Sequence, residues 1–286
     1  MRFLCVNDDV PPITTRLLAK ACGERGLEYA EVHAPSFDYE ETRRARRGDI
    51  LFRPAISLAA IRVEQFLYRE GVATFYSDHQ GVYFNPMNSL LLFERAGLPV
   101  PRSFFCATAE RGLLDSFVDR LGGFPVIIKM PGFSRGIGVI RVDSRGSLYS
   151  TMDYLLAANA APYLCAYIHN STHWRLVVIG DKAVAAYRNQ IEADDFRSYA
   201  GTDRADYFDV VNQSLSAVAI QACQSLRVEF GGVDILEHSS GRLYLLEANF
   251  PCYFATAQEN AGFDVSGALV DYLCKKSALL AANNSR

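Results

Sequence analysis

The stretch VDILEHSSGRLYLLEAN, residues 233–249, has the pattern of two strands joined by a turn at Ser239-Ser240-Gly241. Strand side chains alternate between two faces, so Glu247 and Asn249 share one face, and Asp234 lies on the neighbouring strand. Mg²⁺ is a hard cation that prefers carboxylate and amide oxygens, usually one or two carboxylates together with substrate phosphates. The hairpin therefore predicts a metal–nucleotide site in which three oxygen ligands converge.

A second informative stretch is FPVIIKMPGFSRGIGVIRV, residues 124–142. Lys129 ends an apolar strand there, and Gly132, Gly136 and Gly138 punctuate the loop before the next strand. Successive backbone N–H groups in such a loop can form a concave site for anions. The stretch therefore predicts a loop that cradles phosphates, although its glycines taken alone would also fit an ordinary hairpin.

Composition restricts the class of protein. The chain has 286 residues, half of them hydrophobic, which is enough for two lobes. Its formal net charge of −3 gives no electrostatic case for nucleic acid or a membrane as a partner. Asp8 and Asp9 lie where a signal peptide would need an apolar core, so we expect a cytoplasmic protein. Seven cysteines without a C-x-x-C pair are expected to be free thiols.

The chain divides into segments by its strand and helix patterns. Residues 1–84 alternate short apolar strands with helical spacing, which predicts a small Rossmann-like unit with a parallel sheet. A connector helix follows, bounded by Asn85-Pro86 and by Pro99-Val100-Pro101. Residues from about 103 to 163 are predicted to form a compact lid, and residues from about 164 to 286 a unit of successive strands with flanking helices. The predicted fold class is thus mixed, α/β and α+β.

Six segments, in their order along nearly the whole chain, carry a resemblance to a known family. They are FPVIIKMPGFSRGIGVI, YLCAYI, RLVVIGDKAVAAYRN, DFRS, GGVDIL and EAN. Together they resemble the ATP-grasp superfamily, in its branch with glutathione synthetases and RimK-type amino-acid ligases. The resemblance implies an amino-terminal Rossmann-like (pre-ATP-grasp) domain, residues 1–84, and an ATP-grasp domain, residues 85–286, that together join a carboxylate to an amine through an acylphosphate.

The resemblance also implies roles for matched residues. Lys129 should contact the phosphates of ATP, and the loop 132–138 should close over them. Arg175 and Arg197 match arginines near the phosphates and the substrate, and Arg188 lies one position from a third. The phosphoryl group in flight is anionic, so cationic side chains and Mg²⁺ aimed at it would stabilise the transition state. No covalent protein nucleophile is needed.

The implied cofactors are ATP and Mg²⁺, with two ions expected and Mn²⁺ as the alternative. The residues matched to the metal ligands are Asp234, Glu247 and Asn249. Main-chain groups at the hinge, residues 166–168, should meet the adenine. The residues matched to nucleotide binding are Lys129, Gly132, Ser134, Arg135, Gly136, Gly138, Ala166, Tyr167, Ile168 and His173.

The chain departs from the RimK-type pattern at several positions. His173 replaces an aspartate, Tyr199 replaces an asparagine after the DFRS arginine, and Asn85-Pro86 occupies the place of a connector lysine. The metal strand ends in Asn249-Phe250-Pro251-Cys252 instead of a longer serine-proline-glycine version. We therefore expect an acceptor pocket that differs from that of the glutamate-adding relatives.

Alternatives remain open at the level of the sequence. Lys129 alone would more often be a solvated strand end, and Arg175 or Arg188 would serve equally as surface ion-pair partners of small worth. An ATP-grasp kinase of a hydroxyl substrate would use the same nucleotide site, and a catalytically silent nucleotide-binding regulator would keep Lys129 and the glycine loop. The expected substrates are small-molecule or peptide carboxylates and amines, and a homo-oligomer is allowed.

Overall fold

The computed structural model describes residues 1–83, 89–105, 108–130, 136–191, 195–200, 203–208 and 211–283. Five residues named in the sequence analysis lie outside these ranges: Asn85, Pro86, Gly132, Ser134 and Arg135.

The first 83 residues form the parallel sheet that the alternating pattern predicted. Its elements are β1 (Arg2–Asn7), α1 (Pro12–Glu24), β2 (Glu28–His33), β3 (Ile50–Phe52) and α2 (Leu58–Leu67). The strand order is β2-β1-β3, with both pairings parallel. The strand RFLCVN is buried along its four central residues because helices cover the sheet on both sides, which explains its continuous apolar run.

The middle of the chain forms a four-stranded antiparallel sheet with two helices on one face. The helix α3 (Ser89–Arg95) comes before this layer, whose elements are β4 (Ser103–Phe104), α4 (Arg111–Leu121), β5 (Val126–Lys129), β6 (Val139–Val142), α5 (Arg145–Ala157) and β7 (Tyr163–Ala166). The strand order is β4-β7-β5-β6. Glu110 caps the start of α4 through the N–H groups of Gly112 and Leu113, and Gly122, with φ of 101°, ends it in the left-handed region.

The rest of the chain forms a layer in which helices flank a six-stranded antiparallel sheet. Its elements are β8 (Ser171–Ile179), β9 (Lys182–Ile191), β10 (Ser198–Ala200), β11 (Tyr207–Phe208), α6 (Gln213–Ser225), β12 (Phe230–His238), β13 (Leu243–Asn249), α7 (Ala255–Ala261) and α8 (Val265–Asn283). The strand order is β10-β9-β8-β12-β13, and β11 also pairs with β9. We call this sheet the floor sheet.

The hydrophobic side chains gather in three clusters. Two of them run without interruption from the parallel sheet to the floor sheet, one on the side of α6 and the other on the side of α1 and α8. The third lies entirely within residues 114–164, between the four-stranded sheet and its helices α4 and α5. The four-stranded layer, the lid, thus has a core of its own.

Two smaller observations concern the chain as a whole. The six cysteines within the described ranges are free thiols, as predicted; the seventh, Cys106, lies outside them. Among the helices of the described residues, none combines the length and the apolar character that crossing a bilayer requires.

Candidate active site

One face of the floor sheet carries the predicted metal ligands together. Asp234 of β12 is in register with Glu247 of β13 and with Arg175 of β8, and Asn249 is in register with Gly232. Asp234 and Glu247 share a face because they are direct cross-strand partners, and the β-bulge that follows, after which Ile235 pairs with Leu245, lies beyond them. The shared face that strand alternation predicted is therefore present, and we call it the site face.

Asp234 forms the centre of an ion pair on the site face. Its Oδ2 accepts a hydrogen bond from Arg175, and both side chains are largely buried, with 8% and 15% of their surface exposed. Burial opposes ionisation of Asp234, but the charge of Arg175 and the contact with His173 outweigh it and hold the pKa of Asp234 well below its usual range. Asp234 is therefore a carboxylate under all ordinary conditions.

Gly232 makes room for the Arg175 guanidinium. A Cβ added at Gly232 would overlap the terminal nitrogen and carbon of that group. The Nε of Arg175 is buried and has no hydrogen-bond partner among the described residues. A buried donor without a partner costs free energy, and an anionic oxygen that reached this nitrogen would remove that cost.

Glu247 lies at the open side of the site face. Its Oε1 accepts a hydrogen bond of 2.7 Å from the side-chain amide of Asn249, and its surface is exposed to solvent. Desolvation by the surrounding protein raises the pKa of Glu247, and the negative charge of Asp234 adds to this effect. The Asn249 hydrogen bond and the positive charge of Lys129 act in the opposite direction. A solvent-accessible carboxylate that feels charges from the floor sheet and the lid lies in the cleft between them.

The donor set on the site face suits Mg²⁺. It consists of two carboxylates and one amide oxygen, whereas no group of three or more His, Cys, Asp or Glu side chains able to hold a metal occurs in the described parts of the chain. Mg²⁺ usually takes one or two carboxylates and completes its octahedron with water and substrate phosphates. Each carboxylate has about four lone-pair positions, so the bonds to Arg175 and Asn249 leave positions for an ion.

The lid faces this cleft with the side of its sheet that carries Lys129. Val126 and Ile128 pack in the lid core, so alternation places Lys129 on the opposite side of β5, in register with Tyr163 of β7. Ile127 and Cys165 form the neighbouring pair on the same side. Gly136, which precedes β6, approaches Arg197 beside the site face, so the lid and the site face border one cleft.

The hinge residues occupy the end of β7 and the turn after it. The N–H of Ala166 donates to the carbonyl of Arg102 at 2.9 Å, and the carbonyl of Ile168 accepts from the Ser171 hydroxyl at 3.2 Å. The Tyr167 ring packs under the guanidinium of Arg141 at 4.9 Å. The N–H of Ala166 is thus used within the lid sheet, and Tyr167 contributes a packed aromatic ring.

Arg197 and the described part of the glycine loop meet above the site face. Gly136 has a φ of 72°, and a Cβ added there would lie 3.0 Å from Cδ of Arg197. The Nε of Arg197 donates to the carboxylate of Asp195 at 2.9 Å. Gly138, with a φ of 77°, accepts a hydrogen bond from the N–H of Met130. The left-handed conformation and the close approach explain why these loop positions are glycines.

Arg188 lies on the other face of the floor sheet. It is in register with Trp174, whereas Arg175 is in register with Tyr187. Its guanidinium lies 3.3 Å from Asp206 and packs over Phe208 at 5.3 Å. The structure therefore does not bring Arg188 together with Arg175 and Asp234.

Two neighbours of Arg188 on β9 face the site instead. Tyr187 is in register with Arg175, and Asn189 with His173. The sequence analysis missed both positions. A count of the two-residue period from Arg175 across the β8–β9 turn would not have indicated them, because a bulge between Val177 and Val178 shifts the register by one residue.

His173 also belongs to the site face. Its Nε2 lies 3.2 Å from Oδ1 of Asp234, and its Nδ1 contacts the hydroxyl of Ser198. Ser198 follows Arg197 directly and was not among the predicted site residues. The pattern DFRS contained it, but nothing in the sequence indicated its contact with a histidine 25 positions away.

The sheets and the cleft define an ATP-grasp fold, and comparisons with known proteins agree. The RimK-like ATP-grasp domain model matches residues 85–273, about two-thirds of the chain. The chain therefore belongs to the RimK-like ATP-grasp family, as the sequence resemblance predicted.

Among curated relatives, a probable alpha-L-glutamate ligase of Picosynechococcus sp. is 28% identical over 295 residues, covering 97% of each chain. Probable alpha-L-glutamate ligase 2 of Pseudoalteromonas atlantica is 27% identical over 193 residues, covering 67% of this chain and 63% of the relative. The match with this second relative thus spans less than two-thirds of its length.

Solved structures share the fold at low sequence identity. The ATP-grasp ligase PsnB, complexed with a minimal precursor, Mg and ADP, superposes with a TM-score of 0.71 at 18% identity, covering 96% of this chain and 97% of PsnB. The D-cycloserine synthetase DcsG superposes with a TM-score of 0.73 at 13% identity, covering 97% and 100%. These likenesses confirm the ATP-grasp fold class.

Proposed function

We propose that the protein is an ATP-dependent carboxylate–amine ligase that forms an amide or peptide bond and releases ADP and phosphate. The observation that carries this proposal is the convergence of Asp234, Glu247, Asn249 and Arg175 on one face of the floor sheet, which the lid borders at Gly136. Family membership and the curated glutamate ligases support it.

In this proposal the floor sheet holds the cation and the lid holds the phosphates. Asp234, Glu247 and Asn249 bind Mg²⁺, which supplies positive charge to the terminal phosphates. Lys129 donates to the phosphates from the lid side, and the N–H groups of the loop 132–138 cover them. Two ions, and Mn²⁺ as a substitute, remain predictions.

The arginines act on the group that is transferred. The unpartnered Nε of Arg175 donates to an oxygen of the γ-phosphoryl group or of the substrate carboxylate, where negative charge develops. Arg197 approaches from the opposite side, next to Gly136. The carboxylate attacks the γ-phosphorus, ADP leaves, and the amine then displaces phosphate from the acylphosphate. Closure of the lid excludes water that would hydrolyse this intermediate.

The substrates belong to two chemical classes. The names of the relatives include glutamate ligases, and PsnB was solved with a precursor peptide. A small-molecule or peptide carboxylate and an amine are therefore the proposed substrates.

We also propose the division into residues 1–84, the lid at about 103–163 and the unit from about 164. A cytoplasmic location and homo-oligomer formation remain predictions.

A product screen tests the function directly. Pairs of amino acids and short peptides are incubated with ATP and Mg²⁺, and nucleotide and product masses are measured, with Glu247→Gln as the inactive control. We expect ADP, phosphate and an amide, and ¹⁸O from a labelled substrate carboxylate should appear in the phosphate. AMP with pyrophosphate would refute the mechanism. A stable phosphate ester would indicate the kinase alternative, and tight ATP binding without turnover of any pair would indicate the silent regulator.

A further inference from the structure

His173 bridges two parts of the site that no backbone ladder connects directly. Its ring contacts Oδ1 of Asp234 on one side and the hydroxyl of Ser198 on the other. A carboxylate can only accept, so Nε2 carries a proton, and the neutral ring then accepts from Ser198 at Nδ1. A protonated ring would donate at both nitrogens. The bridge therefore exists in either protonation state.

The Ser198 side of this contact lies in a short strand at the edge of the floor sheet. β10 consists of three residues at the edge of the floor sheet, where Ser198 pairs with Ile191 and Ala200 with Asn189. Short edge strands have few hydrogen bonds and open at low free-energy cost. A side-chain bond from β8, which lies two strands away, to the first residue of β10 thus adds to what orders this segment.

The neighbour of Ser198 gives this ordering a functional consequence. Arg197 precedes Ser198 and packs against Gly136 of the glycine loop. A continuous series of contacts therefore runs from Asp234 on the floor sheet, through His173 and Ser198, to Arg197 and the lid loop. We propose that His173 is a positioning residue that holds the Arg197 segment over the cleft, so that Arg197 meets the phosphoryl group when the lid closes. This inference rests on the proposed function.

The identity of residue 173 matters for this role. The RimK-type pattern has an aspartate there, and an ionised aspartate offers no hydrogen-bond donor to Asp234. Histidine supplies an N–H donor to the carboxylate of Asp234, and its second ring nitrogen contacts the hydroxyl of Ser198. The bridge is therefore a property of this chain and not of the family pattern.

Hydrogen exchange without nucleotide tests the bridge independently of activity. We expect amides of residues 195–200 to exchange about fivefold faster in His173→Ala and in Ser198→Ala, which is the effect of losing one ordinary hydrogen bond. The double variant should be no faster than either single variant, because both remove the same bridge. His238→Ala is the matched control: His238 contacts Ser240 at 2.8 Å in the turn between β12 and β13. Unchanged exchange in Ser198→Ala would overturn the proposal.

Kinetics then test positioning against acid–base chemistry. His173→Gln keeps an N–H donor for Asp234 and a carbonyl acceptor for Ser198 but cannot titrate. We expect His173→Ala to lower kcat about tenfold with less than a twofold change in the KM for ATP, and His173→Gln to restore most of kcat with an unaltered pH profile. Failure of His173→Gln to restore kcat, together with loss of a limb of the pH profile, would make His173 a general base and overturn the positioning role. If the wild type forms no amide but the exchange results hold, only the proposed function fails.

Discussion

Replacing Gly232 by alanine tests whether the buried ion pair orders the site. The added methyl group would overlap the Arg175 guanidinium, which must then leave its position beside Asp234. Both side chains are largely buried, and separating the partners of a buried ion pair costs about 3 to 5 kcal/mol. His173 still contacts Asp234, so we expect the lower end of this range, about 3 kcal/mol.

The neighbouring glycine provides a matched control for this substitution. Gly231 lies on the same strand, and its added Cβ would lie 2.8 Å from Sγ of Cys223, on the opposite side from Arg175. Both variants should lower the urea midpoint of unfolding. Only Gly232→Ala should also lower ADP formation, by about a hundredfold, because it displaces a cation aimed at the transferred group.

Equilibrium unfolding in urea and steady-state ADP release, measured on the same preparations, give the two quantities. Equal losses of activity in Gly231→Ala and Gly232→Ala would mean that destabilisation alone accounts for both. Full activity of Gly232→Ala would refute the reasoning, since Arg175 would then be dispensable at its present position.

Three further predictions concern the lid and the parallel sheet. Lys129→Ala should reduce turnover about a hundredfold while leaving the urea midpoint unchanged, because the lysine points away from the lid core; a coincident loss of stability would contradict this. Gly136→Ala should lower kcat, since its positive φ and the contact with Arg197 disfavour a side chain, and hydrogen exchange should show weaker nucleotide-induced protection of the loop. Burial opposes ionisation of Asp49, but hydrogen bonds from Arg2 outweigh it and lower its pKa. The stabilisation from ionised Asp49 is therefore present above the ordinary aspartate pKa and is lost as the pH falls below it. Asp49→Asn should flatten the decline of stability below about pH 4, as measured by urea titrations.

The strands and helices of each layer could be predicted from the sequence, because the residue patterns that indicate them are local. Three patterns can each be interpreted from neighbouring residues in the sequence. They are the alternation of strands and helices in residues 1–84, the apolar run ending at Lys129, and the hairpin of residues 233–249. The shared face of Asp234, Glu247 and Asn249 followed from the same rule, because the bulge after Asp234 lies outside the register that joins them. Whether these residues bind a cation remains a prediction.

The features that sequence reasoning missed depend on register between strands. Arg188 was predicted to act with Arg175 although it lies one position from the matched arginine, and the register between β8 and β9 places it on the far face of the sheet. The same register brings Asn189 to the site face. The contact of His173 with Ser198 depends on how β10 returns along β9 after a loop, and no local pattern encodes that return.

The two hydrophobic clusters that run from the parallel sheet to the floor sheet determine where this protein can be divided. A fragment beginning near residue 85, where the family match starts, would leave the apolar sides of α6 and α8 uncovered, and it would also lose the ion pair between Arg25 and Asp271. Such a fragment is expected to aggregate. The lid, by contrast, keeps its entire core within residues 114–164. For building chimaeric ligases, the lid is therefore the transplantable part, whereas the first 83 residues must be exchanged together with α8.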